Sequence, residues 1–504
     1  MSVNHFEPDD EFNRQLVRHT HPPDWTNPTP RGPYNLVAIG GGTAGIIAAL
    51  GAAGLGGRVA LIERPRLGGD CLNYGCVPSK ALVRAGRVAH LAATASRFGV
   101  QAQSGGHVAF DEVMRRMRRL RSEISQHDSA ARFRSMGVDV FFGAAAFTGS
   151  KTLTVAGQKL EFKRCVIATG ARAAIPEIPG LAEVGYVTNE TIFSLTELPR
   201  RLIVIGGGPI GCELAQAFRR FGSEVHLIQR GARLLPKDDP AAAALIEQQF
   251  AREGIDVLLH SRILRANSAG GEKQISAMTN GAERVVAGDV ILVAAGRTPN
   301  IEGLNLELAG VKHDSRGIEV NDFLQTSNSR IYAAGDIAGS YKFTHAADAM
   351  ARMCIQNAFF FGRKRLSRLV VPWTTYTEPE VAQVGVTPEM ARENGIAIDS
   401  YREEFSRVDR AVLDGEDQGF AVIHCRRGTG RIVGATIVGS HAGEIIGEAS
   451  LLMTSRLALG KLAGTIHCYP THVEILKRLA DQYNKTRLTP RLAWLLKTIL
   501  RWRN

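Results

Sequence analysis

The chain has 504 residues, room for three or four domains at about 150 residues each. Hydrophobic residues make up 44% and charged residues 22%, which excludes a long disordered chain. The net charge is +12, a balance that favours anionic partners in general. The basic residues are scattered apart from one run and the tail, so no nucleic-acid partner is expected.

Residues 1–33 are polar, with no basic stretch leading into an apolar one, and read as a polar leader and not as a secretory signal. Its histidines His5, His19 and His21 are read as part of a flexible arm, because a metal site needs fixed geometry. Leu36 to Gly57 carries no charge over 22 residues but holds eight glycines, which a membrane-spanning helix would not favour. It reads instead as a strand, a glycine turn with Gly40, Gly42 and Gly45, and a helix. The strand Val59–Ala60–Leu61–Ile62–Glu63 follows. With only seven cysteines, too few for a secreted disulfide scaffold, the chain is expected to be cytoplasmic.

Gly68–Gly69–Asp70–Cys71–Leu72–Asn73–Tyr74–Gly75–Cys76–Val77–Pro78–Ser79–Lys80 comes next. Two cysteines bracketing a glycine suit a disulfide that opens and closes locally. No second cysteine pair exists to complete a zinc site. Arg115, Arg116, Arg118, Arg119 and Arg121 lie above Val113, Met114, Met117, Leu120 and Ile124 at helical spacing, and read as the wet face of a helix. Leu202–Ile203–Val204–Ile205, then Gly206, Gly208 and Gly211, a helix, and Val225–His226–Leu227–Ile228–Gln229 repeat the pattern of the first unit with equal offsets. Two such copies predict two dinucleotide-binding domains. In each, the glycines permit a tight turn, close approach of a pyrophosphate and helix packing, and the helix N-terminus faces the phosphates. Glu63 is placed to hold a ribose diol. Gln229, with Arg230 and Arg233, would instead accept a 2′-phosphate, which favours NADPH over NADH.

Beyond residue 285 short β runs return, at Asp289–Val293 and Ile331–Asp336. From Trp373 alternating β segments precede a helical stretch from Gly443 to about Leu459, a pattern of a separate α+β domain. The segment from Thr489 to the end is amphipathic and basic. It reads as a helix packing on its own protein, with a membrane surface as the alternative partner.

These motifs together resemble the flavin-dependent pyridine-nucleotide disulfide oxidoreductases, the family of glutathione reductase, dihydrolipoamide dehydrogenase and mercuric reductase. The resemblance runs from about Tyr34 to Gln482. It rests on the cysteine block, both glycine turns, Ala168–Thr169–Gly170, Ala295–Gly296–Arg297–Thr298–Pro299–Asn300, Ala334–Gly335–Asp336, Pro379–Glu380–Val381–Ala382 with Val384–Gly385, and Pro470–Thr471–His472–Val473–Glu474. It implies an α/β fold with two Rossmann-like domains, for FAD and NAD(P), and a C-terminal α+β dimerisation domain. The expected spans are 34–165 with 290–370 for FAD, 166–289 for NAD(P)H, 371–484 for dimerisation and 485–504 for the basic tail. Beyond the two glycine turns, Gly69, Asp70, Thr169, Gly170, Gly296, Arg297 and Gly335 are the implied cofactor positions, with Asp336 on the flavin ribityl chain.

The resemblance further implies that Lys80 pairs with Glu213 near the flavin. Cys76 would be the thiolate against the ring and Cys71 the outer thiol. A homodimer is implied, the last segment of each chain completing the partner's site. Disulfide-reducing members carry a histidine just before Pro-Thr, oriented by a glutamate, which protonates the leaving thiolate. Here the position is Tyr469, with Glu474 retained. A phenol, with an ordinary pKa of about 10, is a poor proton shuttle at neutral pH. Tyrosine there matches the mercuric reductase branch, although residues 1–34 hold no cysteine and none follows Cys468. The expected substrate is therefore a soft metal ion, Hg(II) first, ligated by Cys71 and Cys76 with Cys468 as a third thiolate. The alternatives are reduction of a small disulfide with His467 as base, or electron donation at a membrane to a quinone or a partner protein.

Overall fold

The structure is a computed structural model, and it describes residues 6–101, 108–339, 341–360 and 362–503. The chain divides into two compact units, Met1–Arg230 with Gly254–Leu369, and Gly231–Glu253 with Val370–Asn504. In the first unit α1 (Glu11–Thr20) precedes β1 (Tyr34–Ile39), α2 (Thr43–Gly54) and β2 (Val59–Glu63). Then come α3 (Cys76–Ala93), α4 (Phe110–Ser125), β3 (Val138–Phe142) and β4 (Gln158–Ile167). The parallel order is β3, β2, β1, β4, and Ile331–Ala333 pairs with the far side of β4. The register of β1 against β2 runs Leu36 to Val59 and Ile39 to Ile62. Both faces of this sheet are covered, so its central stretches, Leu36–Ile39 of β1 and Val59–Ile62 of β2, read as unbroken apolar runs. One face packs on Ala48, Ala49 and Ala52 of α2 together with Met350 and Cys354, and the other, which carries Phe141 and Phe162, on Phe147, Leu304 and Leu306.

A second parallel sheet in the same unit contains β5 (Arg201–Ile205), followed by α5 (Pro209–Phe221) and β6 (Glu224–Ile228). Asp256–Leu258 adds beyond β6, and Val290–Val293 on the other side of β5. The two parallel sheets, each opening on a glycine turn, are the α/β architecture expected.

The leader departs from the expected polar arm. α1 is capped by Asp10, which accepts from the Asn13 N–H, and it buries Leu16 beside Phe6 and Leu72. His19 meets the Ser125 hydroxyl at 2.8 Å, and His21 stacks on Phe142 with 3.9 Å between ring centroids. His5 lies outside the described residues. The arginine run departs as well. Arg119 is exposed and pairs with Glu123, but Arg118 binds Asp10, and Arg121 is only 1% exposed. Arg121 donates to Asn13 Oδ1 at 2.7 Å and to the Asn73 carbonyl at 2.8 Å, with its guanidinium 4.5 Å from the centre of the Phe6 ring. A helix face that looks solvated in isolation thus holds the leader in place.

In the second unit five antiparallel strands run in the order Pro372–Thr375, Glu380–Gly385, Ile432–Gly439, Phe420–Arg426, Ile398–Glu404. After α6 (Thr344–Phe359) of the first unit, the labelled helices are α7 (Ala442–Thr454), α8 (Glu474–Arg487) and α9 (Pro490–Arg503). Ile445, Ile446 and Leu452 of α7 and Ile475, Leu476 and Leu479 of α8 share one core with Ala435 and Ile437. Gly231–Glu253, inside the span expected for nucleotide binding, groups here through the Trp373 indole to Asp238 at 2.8 Å and an Arg233–Glu389 ion pair. α9 buries none of its residues, contrary to the expected packing on its own protein. Among the described residues no helix is long and apolar enough to cross a membrane.

Candidate active site

The two glycine turns share one geometry. Gly40 has φ 108° and Gly206 φ 115°. A Cβ on Gly40 would lie 2.3 Å from the Ala168 carbonyl oxygen, and one on Gly206 2.4 Å from that of Ala294. A Cβ on Gly45 or Gly211 would strike the Gly40 or Gly206 carbonyl oxygen at 1.7 and 1.9 Å. The protein itself therefore requires the first and third glycines of each turn. The middle ones differ. A Cβ on Gly208 would meet nothing within 4 Å, and one on Gly42 only the Gly69 Cα at 3.5 Å. Open space in front of a helix N-terminus is what a dinucleotide pyrophosphate needs, so these residues fit an FAD and a pyridine nucleotide.

Glu63 and Gln229 close their turns in the same way. Glu63 is buried at the end of β2, where Oε2 accepts the Gly41 N–H and Oε1 the Arg64 N–H. Gln229 Oε1 accepts the Gly207 N–H at 3.1 Å. Burial pushes the Glu63 carboxyl up to about 7 against those two hydrogen bonds. Arg230 is exposed. Arg233 is engaged by both carboxylate oxygens of Glu389, at 2.8 and 3.2 Å, inside the second unit. Of the two arginines offered for a 2′-phosphate, one is thus already held by a carboxylate.

Gly69–Asn73 is a single helical turn carrying Cys71, and Cys76 is the first residue of α3. Gly69, at φ 57°, backs onto Gly42, where its Cβ would lie 2.5 Å from the Gly42 Cα. The cysteine loop is thereby fixed to the first glycine turn. Among the described residues no disulfide joins any of the seven cysteines. The Cys76 thiol is held below the ordinary range, first by a hydrogen bond from Cys71, then by the Thr344 hydroxyl at 3.3 Å and by the Lys80 charge. Donating that bond, together with burial, raises the Cys71 thiol. Cys76 is thus the more acidic thiol of the pair, and its place at a helix N-terminus works in the same direction. One turn along α3, Lys80 Nζ donates to Glu213 Oε2 at 2.7 Å. Glu213 lies on α5 and is buried, so the pair ties the redox helix to the second glycine unit.

Around this loop Asp70 accepts from Asn189 Nδ2 at 3.0 Å and lies 3.2 Å from Arg297. Arg297 also lies 3.2 Å from Asp336, whose carboxyl is raised by burial and lowered by that guanidinium. The Thr169 hydroxyl donates to the Asn300 carbonyl, and Asn300 Nδ2 returns a bond to the Thr169 carbonyl. Gly170, Gly296 and Gly335 all take positive φ, at 68°, 140° and 80°. Sequence reasoning missed Thr344, Asn189, Asn13 and Arg121. The first two are single polar residues with no local pattern, and the others depend on the fold of the leader.

The second unit carries the remaining expected residues. Tyr469 is 71% exposed, and its hydroxyl donates to Asp409 at 2.7 Å, a bond that raises the phenol. Cys468 is exposed beside it. His467, the expected alternative base, is turned inward onto Glu448 at 3.1 Å, its side chain 7% exposed. Glu474 holds Arg478, one turn further along α8, and, among the described residues, no imidazole. His472 is buried against Asp414, and with His441 and Glu416 it forms a cluster of possible metal ligands within 4.8 Å of one another. These three are far apart in sequence, with no motif to announce them.

Comparison with known proteins agrees with this geometry. The family described as pyridine nucleotide-disulphide oxidoreductase matches residues 34–351, and its dimerisation domain matches residues 371–480. The mercuric reductase of Lysinibacillus sphaericus is 37% identical over 453 residues, 90% of this chain and 83% of that protein. The dihydrolipoyl dehydrogenase of Chlamydia trachomatis serovar D is 32% identical over 453 residues, 88% and 95% of the two chains. Among solved structures, the HOCl-induced flavoprotein disulfide reductase RclA from Escherichia coli matches with a TM-score of 0.79 and 28% identity, over 89% of this chain and 99% of that one.

Proposed function

The chain belongs to the pyridine nucleotide-disulphide oxidoreductases, and from that premise we propose that it is a homodimeric, cytoplasmic enzyme that uses NADPH to reduce a soft metal ion, Hg(II) first. The family uses FAD and NAD(P)H. FAD, when bound, would supply two-electron chemistry between the nicotinamide and the Cys71–Cys76 disulfide. Gly40, Gly42, Gly45, Glu63 and Asp336 would hold it, and Gly206, Gly208, Gly211 and Gln229 the nicotinamide nucleotide. Lys80, fixed by Glu213, lends its charge to the Cys76 thiolate. Cys71 and Cys76, once reduced, are soft ligands for a soft ion. In the overall reaction Hg(II) gains two electrons, NADPH loses a hydride, and one proton is released.

The observation that carries the metal reading is the pair of exposed residues Cys468 and Tyr469. A small disulfide needs a proton at its leaving sulfur. His467 and His472 are both drawn into carboxylates, so the exposed loop offers a thiol and a phenol instead. We assign Cys468 to Hg(II) binding in the partner subunit's site. A panel of Hg(II), Cu(II), lipoamide and glutathione disulfide with NADPH or NADH tests this. We expect Hg(II)-dependent NADPH oxidation with release of elemental mercury, reduced about tenfold or more in Cys468→Ser. Lipoamide turning over faster than Hg(II) would overturn the assignment.

A further inference from the structure

α8 and α9 follow one another and are both amphipathic, but they behave differently. α8 buries Ile475, Leu476, Leu479, Ala480 and Tyr483 in the core of its unit, whereas α9 buries nothing. Along α9 Leu492, Leu495, Leu496, Ile499 and Leu500 recur at i, i+3, i+4, i+7 and i+8, the spacing of one continuous apolar face. All five are exposed, as are Trp494 at 68% and Trp502 at 92%. An apolar stripe of this kind on a folded protein marks a surface that is covered in use.

The charge decides what covers it. α9 carries Arg491, Lys497, Arg501 and Arg503, and no acidic residue occurs after Asp481. Lys497 and Arg501 stand one turn apart on the side opposite the leucines. A second copy of the helix laid leucine face to leucine face would cover the apolar stripe but leave Lys497 and Arg501 on the outside, with no carboxylate on the helix to meet them. An anionic bilayer surface supplies the missing sign, takes the leucine face into its acyl boundary, and suits tryptophan at the headgroup level. At 14 residues the helix is roughly 20 Å long, too short and too charged to span, so it would lie in the plane of the surface.

We propose that α9 docks this protein on anionic phospholipid. This goes beyond the metal-reductase reading and does not depend on it. The test is flotation of the FAD-loaded full chain with phosphatidylcholine vesicles, with and without about 30% phosphatidylglycerol, at low and high salt. We expect flotation only with phosphatidylglycerol, weakened by salt, and lost when residues 489–504 are removed. The charge variant Lys497→Glu with Arg501→Glu should lower the bound fraction about tenfold or more. NADPH oxidation and the native mass should stay unchanged in both. Equal flotation on neutral vesicles, or none on either, would overturn the proposal. So would a fall in native mass on truncation, which would make a second copy of the chain the occupant of this face.

Discussion

Cys71 and Cys76 have the same side chain and lie five positions apart, yet their surroundings push their thiols in opposite directions. The Cys71 thiol donates to Cys76, and Thr344 and the Lys80 charge add to the same side. A thiol whose pKa is lowered keeps its nucleophile as pH falls toward neutrality. The pH midpoint for alkylation of Cys76 in the reduced protein should therefore lie below that of an ordinary cysteine. In Cys71→Ala and in Lys80→Met it should move up, by about one unit or more, so that reactivity at pH 7 falls in both. Lys80→Met has a further effect, because it takes a charged donor away from the buried Glu213 carboxylate. An unchanged midpoint in both variants would mean that neither neighbour sets the state of Cys76. The cysteine block, Lys80 and the glycines were legible in the sequence because each is demanded locally, by a turn, a helix start or one helical spacing. Thr344 was not, because it arrives from 268 residues away.

At the scale of elements the leader is the instructive case. α1 looks like a solvated arm when read alone, since its few apolar residues are interrupted by charge. Its partner surface is built by α4, where Arg118 and Arg121 turn inward, and by the cysteine loop, which contributes Leu72 and the Asn73 carbonyl. A buried arginine is tolerated only when its hydrogen bonds are met. Burial draws Arg121 down to about 10, well above neutrality, so it stays charged in the working pH range. Arg121→Ala should destabilise the protein by about 2–4 kcal/mol, because Asn13 Oδ1 and the Asn73 carbonyl both lose a charged donor. The loop that carries Cys71 should loosen at the same time. Denaturant unfolding and the alkylation rate of Cys71 measure the two effects together. Loss of stability with no change at Cys71 would limit the leader to a structural role. The opposite misreading occurred at α9, whose periodicity is clean in the sequence but is met by no surface of its own unit. A hydrophobic period establishes that a face will be buried, and leaves open by what.

Over the whole molecule, the repeated strand–glycine–helix–strand unit was the strongest guide, because backbone collisions at Gly40, Gly45, Gly206 and Gly211 leave little choice of residue. The contacts of Gly231–Glu253 with the C-terminal segment were hidden, since Trp373 with Asp238 and Arg233 with Glu389 are pairs more than 100 residues apart. Substrate choice is the least legible level, because the exposed Cys468 and Tyr469 act, in our proposal, on a second copy of the chain. The proposed reduction depends on a sulfur pair that exchanges electrons with bound flavin. Anaerobic titration of the FAD-loaded protein with dithionite tests it most directly. We predict uptake of two two-electron equivalents per flavin, with a long-wavelength thiolate-to-flavin absorbance after the first, and one equivalent without that band in Cys71→Ser with Cys76→Ser. Uptake of a single equivalent by the unaltered protein, with no such band, would contradict the account.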